Sequence, residues 1–299
     1  MNRELFSGLF SPDKIKFDEL MSSHTTFKTG GPADIMLLPQ SAEEICKAID
    51  LCKGNAIPCI IIGNGSNLLV RDKGIRGVVI KLGKNFSKID INKNIIKAQS
   101  GALLSTVANT AYKASLTGME FAAGIPGSIG GAVCMNAGAY GGEMKDIIKE
   151  VTVFDGKQIK TVSGKEAEFE YRNSRIIKEK MTVLDAVVEL KEGNAQAIKQ
   201  IMDELAEKRR SKQPLDKPSA GSTFKRPEGN FAGRLIEEAG LRGFAIGGAQ
   251  VSEKHCGFVV NKGGATSGDI LKIIDEIKRR VYENSGVTLE CEVRILGEE

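Results

Sequence analysis

A chain of 299 residues with 41% hydrophobic and 27% charged residues has the balance of a soluble globular protein of about two domains. Its net charge of +4 is modest for that length and argues against a dedicated nucleic-acid binder, which would cluster Lys and Arg into a stripe. The longest apolar runs, such as Cys59 to Ile62, fall far short of the roughly 20 residues a membrane span requires.

The amino-terminal MNRELFSGLFSPDK lacks an apolar core of signal-peptide length, so a cytoplasmic protein with no membrane partner is expected. Cys46, Cys52, Cys59, Cys134, Cys256 and Cys291 are scattered, without a CxxC pair, and read as buried free thiols. With only His24 and His255 besides, spacing assembles no metal site.

Residues 1–27 read as a mixed lead-in. A short strand is expected over Asp34 to Leu38, closed by Pro39, then a helix over Ser41 to Lys53. Ser41 and Glu44 form a capping box there, and Ile45, Ala48, Ile49 and Cys52 share one face. Strands follow at Pro58 to Ile62, Leu68 to Val70 and Val78 to Leu82, then at Ile89 to Ile91 and Ile95 to Gln99. Leu104, Val107, Ala108 and Ala111 mark a helix.

Beyond the glycine-rich stretch, strands are expected at Val151 to Phe154, Gln158 to Val162 and Val183 to Leu190. A charged helix next buries Ile198, Ile201, Met202 and Leu205, and the polar run Lys208 to Lys217 marks a domain boundary. Arg209, Arg210 and Lys212 read there as a solvated helix end, with anion binding as the alternative. Two more helices are expected, Asn230 to Ala239 stopped by Gly240, and Asp269 to Asn284 capped by Thr266 or Ser267 and stopped by Gly286.

The stretch Gly118 to Gly142 stands apart. Eight of its 25 residues are glycine, where the chain average of 34 in 299 would give roughly three. Glu120 is its only charged side chain, and Phe121, Ile125, Ile129, Val133 and Met135 are too apolar for a solvated linker. A bare main-chain wall against a large, partly flat ligand is the expectation.

Four segments can carry chemistry. Gly63-Asn64-Gly65-Ser66-Asn67 follows an apolar strand as phosphate loops do, but Leu68 stands where a dinucleotide fingerprint needs glycine, and no helix follows. A nest of main-chain N–H groups would serve instead, with a tight hairpin turn as the plain alternative. In Val287 to Leu296 strict alternation puts Glu292 and Arg294 on one strand face, pointing into a cleft or lying on an exposed edge. Tyr171-Arg172-Asn173-Ser174-Arg175 reads as a polar strand with Arg172 and Ser174 on one face. Ala220-Gly221-Ser222-Thr223-Phe224-Lys225 presents the Ser222 hydroxyl without cover, as a hydrogen-bond or proton donor.

In this order the pieces resemble the UDP-N-acetylenolpyruvoylglucosamine reductase family of flavoenzymes. The matching segments are HTTFKTGGPAD (24–34), GNGSNLLV (63–70), EFAAGIPGSIGGAVCMNAGAYGGE (120–143), YRNSR (171–175), SAGSTFKRP (219–227), FAGRLIEEAGLRG (231–243) and LECEVRILG (289–297). The resemblance implies an α+β fold, with a two-lobed FAD-binding unit of the vanillyl-alcohol-oxidase (PCMH) type and a C-terminal α+β substrate domain. In this numbering the FAD-binding domain is 28–193, with lobes of about 28–84 and 85–193. Residues 194–217 form a helix and linker, and 218–299 the substrate domain.

FAD would lie between the lobes. Its contacts would be Gly63, Asn64, Gly65, Ser66, Asn67 and Leu68 on one side and Gly124, Ile125, Pro126, Ser128, Gly130, Gly131, Asn136, Ala137 and Gly138 on the other. NADPH is the implied reductant, sharing one cleft with the enolpyruvyl sugar nucleotide. Hydride goes to the terminal vinyl carbon, and negative charge develops on the adjoining carbon and its carboxylate.

The resemblance carries over Arg172 as partner of that carboxylate and Glu292 as its companion, protonated or ordering a donor. It carries over Ser222 as the acid that protonates the carbanionic carbon. Arg294, Lys225, Arg226 and His255 are further substrate candidates, His255 reading equally as structural. The compact segment 176–210 matches the shorter subgroup, which lacks a tyrosine-bearing loop. A monomer or weak oligomer is expected. The alternative is another FAD-linked oxidoreductase of the same fold, such as an alcohol oxidase.

Overall fold

The computed structural model describes residues 4–299, so Met1 to Arg3 of the expected lead-in lie outside the described residues. The chain divides into two compact units. One takes the segment ending at Lys16, Ile35–Asn64 and Gly77–Arg209, and the other takes Phe17–Asp34, Gly65–Arg76 and Arg210–Glu299. The chain passes from one to the other inside the strands Ile15–Leu20, Pro32–Leu37 and Ile75–Lys81 and inside the helix Ala195–Lys212.

In the first unit the helix Ala42–Gly54 buries Ile45, Ala48 and Cys52, spaced as a helical face requires. Ser41 accepts from Glu44 N at 3.1 Å, but the Glu44 carboxylate accepts from Gln40 N at 2.7 Å, one residue short of the expected return bond. The β-branched strand Cys59–Ile62 pairs in parallel with Val78 to Lys81. Phe6 and Phe10 are buried with Ile35, Leu37, Ile45, Val78 and Ile80, so the lead-in is core rather than preamble.

A second, five-stranded antiparallel sheet runs in the order Ile159–Ser163, Ile148–Phe154, Thr182–Glu189, Ile95–Gln99, Ile89–Asn92. The helices Leu104–Lys113 and Ile129–Cys134 cover it, and Ile96, Leu104, Val107, Ile129, Val133, Val151, Ala186 and Val188 form its core. The long helix Ala195–Lys212 departs from its expected pattern. Only Ile198 is buried, Ile201 is 43% exposed, and the helix runs to Lys212, into the polar run expected as a domain boundary.

The second unit is built on the helix Ser267–Ser285. Ile270, Ile273, Ile274, Ile277 and Val281 recur every three or four residues and are fully buried against the three-stranded sheet Ala245–Ile246, Ala249–Val251, Val259–Asn261 and the helix Ala232–Glu238. Thr266 is the cap: its Oγ1 accepts from Asp269 N at 3.0 Å while Asp269 accepts from Thr266 N at 3.2 Å, and Gly286 ends the helix at φ 70°.

Asp269 also accepts from Gly248 N at 3.1 Å, and these donors, Gly248 first, hold its carboxyl below 3.8. A depressed folded-state pKa contributes stability above the unfolded value of about 3.9, lost as pH falls through the folded one. Asp269→Asn should therefore melt lower than the parent at neutral pH. The gap in Tm should narrow as pH drops below about 3.9. A gap that widens on acidification would contradict this.

The expected strand Val287 to Leu296 is not continuous. The N–H groups of Glu292 and Val293 both point at the Thr223 carbonyl, at 2.9 and 3.5 Å, a bulge that shifts the alternation by one residue. Leu289 and Val293 are buried as expected, but Ile295 is 37% exposed. Only Arg294–Leu296 is regular strand, in parallel with Leu68–Val70.

Candidate active site

In the first unit, two glycine-rich segments far apart in sequence form one surface. Gly63 and Asn64 end the strand Cys59–Ile62. A Cβ on Gly63 would stand 2.2 Å from Ser128 Oγ, and Asn64 Nδ2 donates to the Pro126 carbonyl at 2.5 Å. Ile125, half-buried, packs on the core below. At Gly124 a Cβ would meet Arg209 Nη1 at 2.9 Å and its Cδ at 3.2 Å, so the arginine expected at a solvated helix end lies across this loop.

Ser128 Oγ and Arg209 Nε are buried without a hydrogen-bond partner inside the chain. Buried polar atoms of this kind are found where a polar ligand completes the site. Together with the Cβ-free approach at Gly63, they fit the phosphates and polar edge of a dinucleotide cofactor such as FAD.

Two residues expected on that surface face inward instead. Gly130 donates its N–H to Ser100 O at 2.9 Å, and a Cβ there would lie 2.6 Å from Ser100 Cβ, so its smallness serves helix packing. Asn136 is 1% exposed, with φ 43°. Its Nδ2 donates to Glu143 Oε2 at 3.0 Å and to Glu170 O at 3.1 Å, and its Oδ1 accepts from Lys145 N at 2.9 Å. Gly131 is exposed, Gly138 half-buried, and Ala137 packs on the core. Phe121, Ile129 and Val133 are core side chains as well, so the glycine-rich stretch is half wall and half core.

Glu170 to Asn173 is a tight turn, not a strand, and Arg175 opens the short helix Arg175–Lys178. Glu170 and Asn173 exchange main-chain hydrogen bonds at 3.0 and 3.3 Å, and Arg172 sits at φ 54°. That left-handed residue breaks the alternation. Ser174 is buried, donating to Cys134 O at 2.7 Å. Arg172 is half-buried, with Nη2 3.5 Å from Gly138 O and its guanidinium 5.0 Å above the Tyr171 ring.

In the second unit Gly65 has φ 67°, and a Cβ there would lie 2.0 Å from the His24 carbonyl oxygen. Thr26 N donates to Gly65 O at 3.2 Å. Ser66 is half-buried. Asn67, expected to help hold phosphate, donates Nδ2 to Glu292 O at 3.1 Å, and its own carbonyl accepts from Arg294 N at 3.0 Å, where Leu68 and Arg294 are register partners.

Thr223 is the node that joins these segments of the second unit. It is fully buried: its N–H donates to Gly257 O at 2.9 Å, its Oγ1 accepts from Val259 N at 3.0 Å, and its carbonyl accepts from Glu292 and Val293. Phe224 and Cys291 form an antiparallel bridge. Exposed Ser222 and half-buried Glu292 are thereby carried on facing segments, whereas Arg294, past the bulge, is exposed. Thr223→Val keeps the shape but leaves the buried Val259 N–H without its acceptor. It should lower unfolding stability by about 1–3 kcal/mol in denaturant titration.

The remaining candidates have partners of their own. Lys225 is ion-paired with Glu290. Arg226 lies 4.0 Å over the Phe231 ring, with Nε 3.4 Å from Asn230 O. His255 Nδ1 accepts from Gly257 N at 3.1 Å, and the ring meets Phe258 edge-on at 5.0 Å. Burial first, then the charge of Arg242, pushes its pKa below 6.5. The ring braces the Gly257 turn through its Nδ1 hydrogen bond.

The comparisons identify the fold as that of an FAD-linked oxidoreductase. Residues 33–161 match the FAD binding domain, and residues 213–296 match the UDP-N-acetylenolpyruvoylglucosamine reductase C-terminal domain. The chain is 54% identical over 302 aligned residues to the UDP-N-acetylenolpyruvoylglucosamine reductase of Clostridioides difficile, covering 100% of this chain and 99% of that one. It is 53% identical to the reductase of that name from a Clostridium botulinum strain, over 99% of this chain and 98% of the other. The crystal structure of the Thermus caldophilus reductase superposes with a TM-score of 0.81 at 38% identity, covering 93% of this chain and 97% of that one.

The chain belongs to the UDP-N-acetylenolpyruvoylglucosamine reductase family. Its fold is the expected one, a vanillyl-alcohol-oxidase-type FAD unit with a C-terminal α+β domain.

The sequence assigns no role to Thr223, Glu143 or the His24 to Thr26 segment, although all three lie within matching segments, and it reads Arg209 first as a solvated helix end, with anion binding as the alternative.

Proposed function

We propose that the protein is a flavoenzyme that uses NADPH to reduce the enolpyruvyl group of UDP-N-acetylenolpyruvoylglucosamine to the lactyl ether of UDP-N-acetylmuramate, a step of peptidoglycan precursor synthesis. The similarity to named reductases along the whole chain carries this reading. FAD, when bound, supplies the two-electron relay between the nicotinamide and the vinyl group. Gly63, Asn64, Gly65, Ser66 and the Gly124 to Ser128 loop would hold it. A cytoplasmic location and a monomeric or weakly oligomeric state belong to the same proposal.

The chain's own chemistry is electrostatic and acid–base. One hydride is added at the terminal carbon and one proton at the adjoining carbon, so a cation for the carboxylate and a proton source are both needed. Arg172 is the cation, its guanidinium opposing the charge that develops on the carboxylate. Ser222 Oγ–H is the proton source, and its exposed place beside rigid Thr223 supports that role. Glu292 faces the serine segment and orders a donor at the same carboxylate or, protonated, is that donor. Lys225, Arg226 and Arg294 remain substrate candidates.

Anaerobic mixing of the purified yellow protein with NADPH and then with the enolpyruvyl nucleotide tests the assignment. NADPH consumption beyond one equivalent per flavin should depend on the sugar nucleotide. A reduced flavin that the nucleotide leaves unchanged and that only admitted oxygen reoxidises would favour the alcohol-oxidase alternative.

A further inference from the structure

We propose that Glu143, fixed by Asn136, is a positioning residue that holds the Arg172 guanidinium in its working place. The inference rests on the reading of Arg172 as the carboxylate partner and concerns what keeps that side chain still.

Arg172 has two disadvantages as a binding group. Its backbone occupies the left-handed region at φ 54°, where residues other than glycine are strained, and it sits on a four-residue turn. A long side chain on such a turn is placed accurately only if neighbouring groups fix both the turn and the guanidinium.

One cluster in the first unit does both. Residues 138–143 form a hairpin whose register sets Glu143 opposite Gly138. A Cβ on Gly138 would lie 2.7 Å from Glu143 Cγ, so the glutamate side chain lies directly against this glycine. The carbonyl of the same Gly138 is 3.5 Å from Arg172 Nη2. The turn itself is tied by Asn136, which donates one Nδ2 hydrogen to Glu170 O and the other to Glu143 Oε2. Glu143 is fixed at its backbone too, its N–H donating to Asp146 Oδ2 at 2.9 Å.

The electrostatics agree with the geometry. Glu143 Oε2 is 2.8 Å from Lys145 Nζ. The Lys145 hydrogen bond is the largest cause holding the Glu143 carboxyl below its usual range, with Asn136 and the nearby charge of Arg172 acting in the same direction. The carboxylate therefore stays ionised and is held by Asn136 and Lys145. Its charge attracts the guanidinium, whose Nη2 lies 3.5 Å from the Gly138 carbonyl that the glutamate side chain packs beside.

A double-mutant cycle on Glu143→Gln and Arg172→Ala, read as kcat with saturating NADPH, tests the proposal. Glu143→Gln should keep its FAD absorption spectrum, FAD affinity and Tm while losing about 10–100-fold in kcat. Arg172→Ala should lose more, and the double variant should match Arg172→Ala rather than show the product of the two losses. Added guanidinium ion should restore part of the Arg172→Ala rate, and restore less when Glu143→Gln is also present.

Losses that multiply, or a Glu143→Gln enzyme with the parental kcat, overturn the proposal. If Glu143→Gln loses FAD affinity, Glu143→Asp keeps the charge and answers by the same cycle. An Arg172→Ala enzyme with parental turnover overturns the reading of Arg172 itself, and this proposal with it.

Discussion

Ser222→Ala is expected to leave the bleaching of the yellow absorption by NADPH near the parental rate while slowing its return on addition of the sugar nucleotide by about 10²–10⁴-fold, the range for removal of a positioned general acid. The asymmetry arises because only the second half of the cycle requires a proton on carbon. The structure makes the substitution clean. Ser222 is exposed and its hydroxyl supports no part of the fold, whereas the next residue, Thr223, ties Gly257, Val259 and the Glu292 segment together. Alanine at 222 should therefore leave Tm and FAD content unchanged. Stopped-flow absorbance resolves the two phases, and equal slowing of both would mean that Ser222 has a structural role.

Gly65→Ala should be as damaging by a different route. The residue is at φ 67°, and its new Cβ would stand 2.0 Å from the His24 carbonyl oxygen and 3.1 Å from Thr25 Cα. These are main-chain atoms, so no rotamer relieves the overlap. Strain and overpacking together predict about 2–5 kcal/mol. The shift should also propagate, because Asn67, two residues on, holds the Glu292 carbonyl and the Arg294 N–H. The variant should be isolated largely colourless, with a lowered Tm and weak FAD rebinding. Gly63→Ala is the control: its nearest obstacle is the Ser128 hydroxyl, which can rotate away, so its loss should be smaller. Equal behaviour of the two alanines in FAD titration would contradict the explanation from main-chain contact.

The long elements were legible because their signals are local. The isoleucines of the last helix, its threonine cap and its terminal glycine all lie within the segment they define. What escaped depends on partners distant in the chain. Alternation in 287–296 holds through Val293 and then fails, because the bulge is made by the Thr223 carbonyl, which no local pattern can announce. Arg172 was expected on a strand because nothing in YRNSR reveals a left-handed arginine. Asn136 was a FAD contact only by resemblance, and its amide is spent on Glu143, Glu170 and Lys145. Arg209 read as solvated because the next helical positions are charged, while Gly124, which lets it lie flat, is 85 residues earlier.

The site residues themselves were legible only as motifs. The pattern AGSTFK together with LECEVR selected Ser222 and Glu292, and the fold adds the reason they travel together, the Phe224–Cys291 bridge and the Thr223 carbonyl. The glycine-rich stretch read correctly as unusual, but its glycines have different tasks: Gly124 admits an arginine, Gly130 a strand end, and Gly138 a glutamate.

The most direct test of the whole account is an anaerobic single turnover. Purified protein is titrated with one equivalent of NADPH, and the enolpyruvyl sugar nucleotide is then added in the absence of oxygen. The account predicts that the yellow absorption bleaches with NADPH and returns fully with the nucleotide, with one equivalent of the lactyl ether formed per flavin. Bleaching that is reversed only when oxygen is admitted, with the enolpyruvyl group intact, would contradict it.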